Sequence, residues 1–314
     1  MAFGQRRSRK RRKRMDAFKN RWKSYWADLP PNVRGILWVV LSGLLFASFM
    51  AIVRHVGTTM NPIQMSFIRY AFGMLFMLPF FMRMQLSDFR AADMKLHATR
   101  GILHGLAVMM WFYAMSRIPI AEVTALGFTS PIFATIAAVF LLGERIRLRR
   151  MIAVLSGLLG ALIIIRPGAA VIDPGAIAML VAAPIFAFSD VMAKLLTRKE
   201  SGPAVVGYLS IFVTLVTMVP AIYVWRWPTP EEWALLALTA FIATLGHLAM
   251  VQGFKLAEVS VTQPAKFLQL IWATLIGFLI FGEFPTIWTW IGAAIVVAAV
   301  SYIAHREAVA RRHE

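Results

Sequence analysis

The chain is too apolar for a protein that folds in water. Its 314 residues are 59% apolar and only 15% charged, against the roughly 25% charge usual in soluble domains. The absence of cysteine excludes disulfides, thiolate metal sites and thiol nucleophiles. Lipid is therefore the expected solvent for most of the chain.

The first 33 residues form a basic tail. Residues 1–30 hold 11 basic and 2 acidic groups, and so carry half of the net charge of +18. Basic segments beside a first membrane helix stay in the cytoplasm and are attracted to anionic lipid headgroups. We interpret residues 1–33 as a cytoplasmic tail near membrane lipid, with no role in nucleic-acid binding. The apolar run that follows has no small-residue cleavage pattern before Arg54, so we expect it to be retained.

Ten apolar runs follow the tail. Nine of them have the 18 to 23 residues that a hydrocarbon core of about 30 Å needs at 1.5 Å per helical residue. The fifth run has only 15 residues, but arginines at both of its ends can reach the interfaces. The sequence predicts an all-α polytopic membrane protein with ten transmembrane helices, at 35–53, 62–82, 98–116, 120–142, 151–165, 175–196, 204–225, 233–254, 260–281 and 287–304.

Basic residues in the connections predict the orientation. The even-numbered connections hold twelve Lys and Arg residues, and the odd-numbered connections hold four. Positive charge is enriched in cytoplasmic loops. We therefore expect the even-numbered connections and both termini, including the tail 306–314, to be cytoplasmic.

An internal repeat divides the apolar region into halves. Residues 126–145 read LGFTSPIFATIAAVFLLGER, and residues 265–284, 139 positions later, read AKFLQLIWATLIGFLIFGEF. Upstream, residues 45–47 match 185–187, and Pro79 matches Pro220. Because each copy has five spans, an odd number, the second copy should enter the membrane upside down. The sequence predicts two inverted five-helix repeats, 34–168 and 169–305.

Over about residues 34–305 the chain resembles the drug/metabolite transporter superfamily, specifically its ten-helix members with two EamA-type halves. The two Gly-Glu helix ends are the most specific marks of this resemblance. Segments 99–126, 186–196 and 263–285 are most similar to S-adenosylmethionine uptake carriers, and riboflavin importers are similar in the same stretches. In such carriers an acidic residue often follows the Phe-Leu pair of the ninth span. Gln269 stands there, which argues against a cationic substrate.

This resemblance implies a secondary active transporter in a bacterial-type inner membrane. It moves a small organic metabolite by alternating access, with S-adenosylmethionine or a related heteroaromatic or zwitterionic solute as the expected substrate and no cofactor. Riboflavin-type import and amino-acid or drug export are the alternatives within the superfamily. The sequence leaves open the direction of transport, the coupling ion and homodimer formation.

Two other function classes are weaker. A multipass membrane enzyme would use Asp190 and His247 as acid and base, but the chain has no HExxH, Walker loop, serine elbow or paired carboxylates. We therefore predict that the chain is not an enzyme. A passive channel is the third class, and saturable counterflow would distinguish a carrier from it.

Charged groups inside the predicted spans need a partner or a water-lined cavity. Asp190 and Lys266 either neutralise each other as a structural ion pair or line the cavity and hold opposite charges of the cargo. Arg69 is deep enough to bind a carboxylate or phosphate in the cavity. We expect Arg100, at the start of the third span, to be an interface anchor.

Histidine, aromatic and amide side chains complete the predicted site. His104 and His247 occupy similar repeat positions and either form helix–helix hydrogen bonds or, with Asp190, carry a coupling proton. Deep aromatic rings pack between helices or stack on a planar substrate. The remaining predicted substrate-binding residues are Trp111, Tyr113, Phe128, Gln252, Gln269 and Trp272.

Two further features concern the helices themselves. We expect Pro131 and Pro264 to interrupt helices four and nine. Small-residue spacings such as Gly157 to Gly160 indicate close packing between helices.

Overall fold

The structure is a computed structural model that describes residues 29–82, 93–130, 132–133, 148–166, 172–196, 200, 202–256 and 265–311. Within these residues the chain is helical. The ten helices are α1 (Pro31–Val56), α2 (Pro62–Phe81), α3 (Met94–Arg117), α4 (Ile120–Gly127), α5 (Leu148–Ile165), α6 (Pro174–Leu196), α7 (Gly202–Tyr223), α8 (Pro230–Leu256), α9 (Leu268–Phe281) and α10 (Ile287–Arg311). The all-helical prediction and the number of helices are confirmed.

The helix surfaces suit a lipid environment. Large apolar side chains are exposed along many of the helices, and Leu155, Leu159 and Leu279 are each more than half exposed. Three helices within the described ranges are long and apolar enough to cross a membrane by length and composition, at Pro31–Val56, Ala204–Tyr223 and Pro230–Met250. Four further apolar helices are shorter. Because water would penalise this exposed apolar surface, the bundle is suited to a bilayer.

Contacts between connections show that the helices alternate in direction. Thr59, between α1 and α2, accepts a hydrogen bond through its carbonyl from Arg226, between α7 and α8. Arg117, at the end of α3, pairs with Asp173, just before α6, with a nitrogen to oxygen distance of 3.7 Å. Arg54 contacts Glu283, between α9 and α10. All five odd-numbered connections therefore meet at one end of the bundle, which we call the Arg54 end.

This end fixes the relation between the two halves. Helix α1 finishes at the Arg54 end, whereas α6, its counterpart in the repeat, begins there. The second five-helix half is thus inverted relative to the first, as the odd number of helices predicted.

Helix packing follows a pseudo-twofold axis between the halves. The α1–α8 and α3–α6 interfaces are the most extensive, and each is the repeat counterpart of the other. The α3–α7 and α2–α8 interfaces form a second such pair, and α1–α9 and α4–α6 form a third. Helices α2 with α7, α4 with α9 and α5 with α10 pack against their own counterparts. Most of the core therefore lies between the halves, which makes the bundle one body.

Helix α5 packs closely on α10 through Gly160 and Gly292. A Cβ atom on Gly292 would lie 2.5 Å from the carbonyl oxygen of Gly160, and one on Gly160 would lie 2.8 Å from that of Gly292. These distances leave no room for a side chain. The small-residue spacing predicted this close packing correctly.

The fourth span differs from the continuous apolar run of the sequence. Helix α4 ends at Gly127, and Phe128 and Thr129 form a turn. Pro131 lies outside the described residues, but a proline has no N–H to donate to the carbonyl four residues earlier, that of Gly127. In the second half a turn at Phe267, the counterpart of Phe128, precedes α9. Pro264, the other predicted helix breaker, also lies outside the described residues.

Candidate functional site

Two histidine–phenylalanine contacts lie on opposite sides of the pseudo-twofold axis. The His247 ring on α8 meets the Phe46 ring on α1 at a centroid distance of 4.9 Å, edge to face. The His104 ring on α3 meets the Phe186 ring on α6 at 5.0 Å in the same geometry. Phe46 and Phe186 are repeat counterparts, 140 positions apart. The same contact therefore occurs twice, once in the α1–α8 interface and once in the equivalent α3–α6 interface.

The two histidines differ in their polar contacts. His104 Nδ1 lies 2.9 Å from Ser189 Oγ on α6, a helix–helix hydrogen bond that satisfies the structural interpretation of this residue. His247 is exposed although it interacts electrostatically with the buried Arg69 of α2 and with His104 of α3. We call His104, His247, Arg69 and Arg100 the central basic cluster.

Arg69 is a buried cation of this cluster with an unsatisfied donor. Its side chain is only 9% exposed, and its Nε atom is buried with no hydrogen-bond partner. The guanidinium carbon lies 4.0 Å from the centroid of the Tyr70 ring, a cation–π contact. The described residues thus bring Arg69, His104 and His247 of the predicted site together.

The prediction that Arg100 is an interface anchor is wrong. It is 6% exposed and donates from Nε to the carbonyl of Ser189 at 3.2 Å and from Nη1 to that of Val205 at 3.1 Å. Charge position along the sequence suggested a helix end near water. Tertiary packing instead covers this end of α3 with α6 and α7, and their carbonyls take the place of water.

An aromatic wall adjoins the central basic cluster. Trp111 of α3 contacts Phe186 of α6 at 5.9 Å and Phe49 of α1 at 5.2 Å between ring centroids. Phe186 in turn contacts His104. The predicted Trp111 therefore lies on the same side of α3 as the cluster, joined to it through one ring.

Phe128 and Phe267 mark the symmetry axis. Their rings meet edge to face at 5.0 Å, and they occupy equivalent positions in the two repeats, 139 residues apart. Counterparts related by a twofold axis touch only when they lie close to that axis. The predicted Phe128 therefore lies at the junction of the two halves, in the turn that follows α4.

Gln269 and Trp272 both lie on α9, and Gln269 faces the first half. Gln269 Nε2 lies 3.8 Å from the sulfur of Met50, which also receives the Thr124 hydroxyl at 3.8 Å. The Cβ of Gln269 lies 3.3 Å from where a Cβ on Gly43 would be. The indole N–H of Trp272 is buried without a partner, so it is a donor available to a polar ligand or a water molecule.

Like Phe128, Gln269 and Trp272, four more predicted residues have no described contact with the central basic cluster. Tyr113 lies near the Arg54 end, with its ring centroid 5.8 Å from the Arg117 guanidinium carbon. Gln252 is exposed on α8, and Lys266 is in the helical turn before Phe267. The backbone of Asp190 is in α6, but its side chain lies outside the described part, so the Asp190–Lys266 pair stays a prediction.

The Arg54 end is held by a group that joins both halves, which we call the end cluster. Arg54 Nε donates to Glu283 Oε1, and Arg54 Nη1 donates to the carbonyl of Met115 at 3.3 Å. The other carboxylate oxygen, Oε2, accepts from the N–H of Ile120 at 3.2 Å, the first residue of α4. A carboxylate at a helix N-terminus satisfies a backbone donor and complements the helix dipole.

The Gly-Glu motif explains how Glu283 reaches this position. Gly282 adopts a left-handed conformation, with φ of 65°, and ends α9. Its N–H donates to the carbonyl of Phe278, and that of Glu283 donates to Gly277, which is a Schellman cap. Glycine is needed here because a residue with a side chain rarely adopts this φ. The next residue is thereby directed back over the helix end.

A second ion pair lies at the same end. Arg226 donates to both carboxylate oxygens of Glu232 and to the carbonyl of Thr59. The Glu232 carboxylate raises the pKa of Arg226, mainly through their hydrogen bond. The guanidinium therefore remains charged and links the α1–α2 connection to the start of α8.

Sequence reasoning missed several of these contacts. Ser189, the partner of His104, gave no signal because a serine inside an apolar helix is common. His97 lies with Nε2 2.7 Å from Glu200 and its ring 4.5 Å from that of Tyr208. The repeated Gly-Glu ends were a usable signal for Glu283. Its partner Arg54 was considered only as one of the basic residues in the odd-numbered connections.

Comparisons with known proteins agree with this architecture. The model of the EamA-like transporter family matches residues 33–166 and again residues 173–304. Two copies of one family unit thus cover the two halves of the bundle. The chain belongs to the EamA-like transporter family, a family of membrane transporters and not of enzymes.

Among its relatives, an S-adenosylmethionine uptake transporter from Rickettsia bellii is 28% identical over 87% of this chain and 94% of its own. A riboflavin transporter from Vibrio cholerae is 28% identical over 90% of this chain and 96% of its own. A pseudopaline exporter from Pseudomonas aeruginosa is 26% identical over 84% and 94%. These relatives support a multi-pass membrane transporter and leave its substrate unassigned.

One solved crystal structure aligns with a TM-score of 0.57 over 87% of this chain and 97% of its own, at 19% identity. This likeness concerns the fold alone.

Proposed function

We propose that the protein is a secondary active carrier for S-adenosylmethionine or a related heteroaromatic or zwitterionic metabolite. It works by alternating access in a bacterial-type inner membrane, with both termini in the cytoplasm. The observation that carries the proposal is the central basic cluster, since it lies between two inverted halves whose histidine–phenylalanine contacts are equivalent. In secondary transporters a midplane site at such a repeat interface is exposed to each side in turn.

The chemistry around the cluster supports a planar, polar solute. Trp111 and Phe186 provide aromatic surface beside His104, and such surfaces stack with heteroaromatic rings. Arg69 provides a guanidinium for an anionic group. S-adenosylmethionine, named for some of the relatives, has both a heteroaromatic ring and an anionic carboxylate, and so fits both features. Riboflavin, named for others, fits the aromatic surface alone.

Two measurements test this proposal. Purified protein is screened for thermal stabilisation by a metabolite panel that includes S-adenosylmethionine and riboflavin, because a ligand that binds the folded state raises the melting temperature. Proteoliposomes loaded with unlabelled S-adenosylmethionine are then tested for counterflow of the labelled compound. We expect saturable counterflow. If only riboflavin gives stabilisation and counterflow, riboflavin is the substrate instead. Flux without saturation or counterflow would indicate a channel.

A further inference from the structure

Arg69 has a hydrogen-bond donor that no group in the described part of the chain satisfies. Arg69 Nε is buried without a partner, and no acidic side chain within the described residues pairs with the Arg69 guanidinium. A buried donor without an acceptor is unfavourable, and a charged one more so. The protein therefore maintains a cation that is suited to an acceptor from outside the chain.

The described side chains around the Arg69 guanidinium are aromatic or basic. The Tyr70 ring faces the guanidinium at 4.0 Å, and the side chains that interact with it electrostatically, His104 and His247, are basic or neutral. Arg100, the other guanidinium of the cluster, already donates to two carbonyls. Arg69 is thus the cation of the cluster with a described, unfilled donor.

Arg69 also breaks the symmetry of the site. With Pro79 aligned to Pro220, its counterpart in the second repeat is Ser210, whose hydroxyl donates to the Val206 carbonyl within its own helix at 3.0 Å. The histidine–phenylalanine contacts occur in both halves, whereas the guanidinium occurs in one. A feature needed only for packing between equivalent halves has no reason to be one-sided, and a feature that recognises an asymmetric substrate does.

We infer that Arg69 is the subsite for a carboxylate, so that the substrate is a carboxylate-bearing solute and not merely a heteroaromatic one. This inference rests on the proposed transport function and deepens it. The planar fork of Nε and Nη matches the two oxygens of a carboxylate. One guanidinium balances the single negative charge of a carboxylate, whereas a phosphate dianion would need a second cation with unused donors. S-adenosylmethionine carries a carboxylate, and riboflavin carries none.

The test compares pairs of compounds that differ only in this group. Thermal stabilisation is measured with S-adenosylmethionine against decarboxylated S-adenosylmethionine, methionine against methioninamide, and nicotinate against nicotinamide, with inorganic phosphate as a further probe. We expect at least one acid to stabilise the protein, with an affinity about tenfold or more above that of its partner without the carboxylate. The inference is overturned if no acid stabilises, if acid and partner are equivalent, or if phosphate alone does so.

Variants assign the effect to Arg69. Arg69→Gln should remove the preference for the acid, and Arg69→Lys should retain only part of it, because an ammonium keeps the charge but loses the fork. Arg117→Gln is the control, since Arg117 is half exposed at the Arg54 end, and it should keep the full preference. A preference that survives in Arg69→Gln overturns the inference.

One structural explanation is tested directly. If Arg69 served only to neutralise Asp190, the double variant Arg69→Gln/Asp190→Asn would recover the preference that Arg69→Gln lost. We expect no recovery, and recovery would contradict the carboxylate subsite. The proposed function fails separately: absence of S-adenosylmethionine counterflow, with the acid preference of another pair intact, would change the substrate and leave the subsite in place.

Discussion

At the scale of single residues, His104 and His247 hold equivalent positions but have different partners. His104 is fixed by Ser189 Oγ, whereas His247 is exposed and has a ring contact with Phe46. A histidine whose nitrogens are not held by a described hydrogen bond is better able to exchange a proton during transport. His247 is therefore the stronger of the two candidates for proton coupling.

His247→Gln should leave substrate exchange intact and abolish accumulation driven by a proton gradient. Glutamine keeps hydrogen-bonding groups but does not titrate. The measurement is counterflow and gradient-driven uptake in the same proteoliposomes, with His55→Gln, at the exposed end of α1, as the control. Normal accumulation by His247→Gln would remove this residue from the coupling mechanism.

The end cluster gives a stability prediction for one carboxylate. Glu283→Gln keeps the shape of the side chain but removes the charge opposite Arg54, whose guanidinium is only partly exposed. We expect a loss of about 2 kcal/mol, typical of a hydrogen bond to a charged group. The apparent melting temperature in detergent should fall by several degrees. The control Glu231→Gln, an exposed residue of the first turn of α8, should change little, and equal melting of both variants would show that the cluster does not stabilise this end.

At the scale of helices, the inter-half interfaces are of two kinds. The α1–α8 and α3–α6 interfaces surround the central basic cluster, whereas α5 and α10 pack against each other. The glycine contact between α5 and α10 is too close to permit a side chain. The physical role of this pair is a fixed backbone contact between the halves.

Gly292→Ala should therefore be costly. Its Cβ would lie 2.5 Å from both the Gly160 carbonyl oxygen and Ile164 Cγ1, and overpacking of this kind typically costs about 1–3 kcal/mol. Gly73→Ala is the matched control, because a Cβ there meets nothing within 4 Å and alanine favours the helix. We expect a lower melting temperature for the first variant and an equal or higher one for the second. The reverse order would contradict the close approach of α5 and α10.

At the scale of the whole molecule, the inverted halves predict which positions share a membrane face. The chain has no cysteine, so single cysteines report accessibility without background. Thr58→Cys and Phe284→Cys replace exposed residues at the Arg54 end, and Lys95→Cys replaces an exposed residue at the other end. With the cytoplasmic termini that we propose, an impermeant maleimide added to intact cells should label the first two and not the third.

The two parts of this prediction fail differently. Labelling of Lys95→Cys alone would reverse the orientation and keep the fold. If only one of Thr58→Cys and Phe284→Cys is labelled, the two positions lie on opposite sides of the membrane. That result would contradict the inverted arrangement itself.

The sequence was a good guide to the elements and a partial guide to the site. Helix number and repeat symmetry followed from apolar run lengths and from the 139-residue offset, because both are recorded in local composition. The break after Gly127 was foreseen only as a proline effect, since a continuous apolar run does not show where backbone hydrogen bonding stops. Arg69 was selected for its depth, and His104 and His247 for their similar repeat positions within the spans. Tyr113 was also selected for its depth, but it lies near Arg117.

What the sequence determined by itself is the solvent and the symmetry: apolar content selects a bilayer, and an odd number of spans per repeat requires the second half to be inverted. What only the tertiary structure decided is which polar groups have partners. The sequence placed Arg69 inside a span and Arg100 at a helix end, but only packing gives Arg100 two carbonyls and leaves Arg69 with a buried, unfilled donor. That difference depends on atoms contributed by α6 and α7, far away in sequence, because hydrogen bonding acts over a few ångströms in space and has no counterpart in local composition.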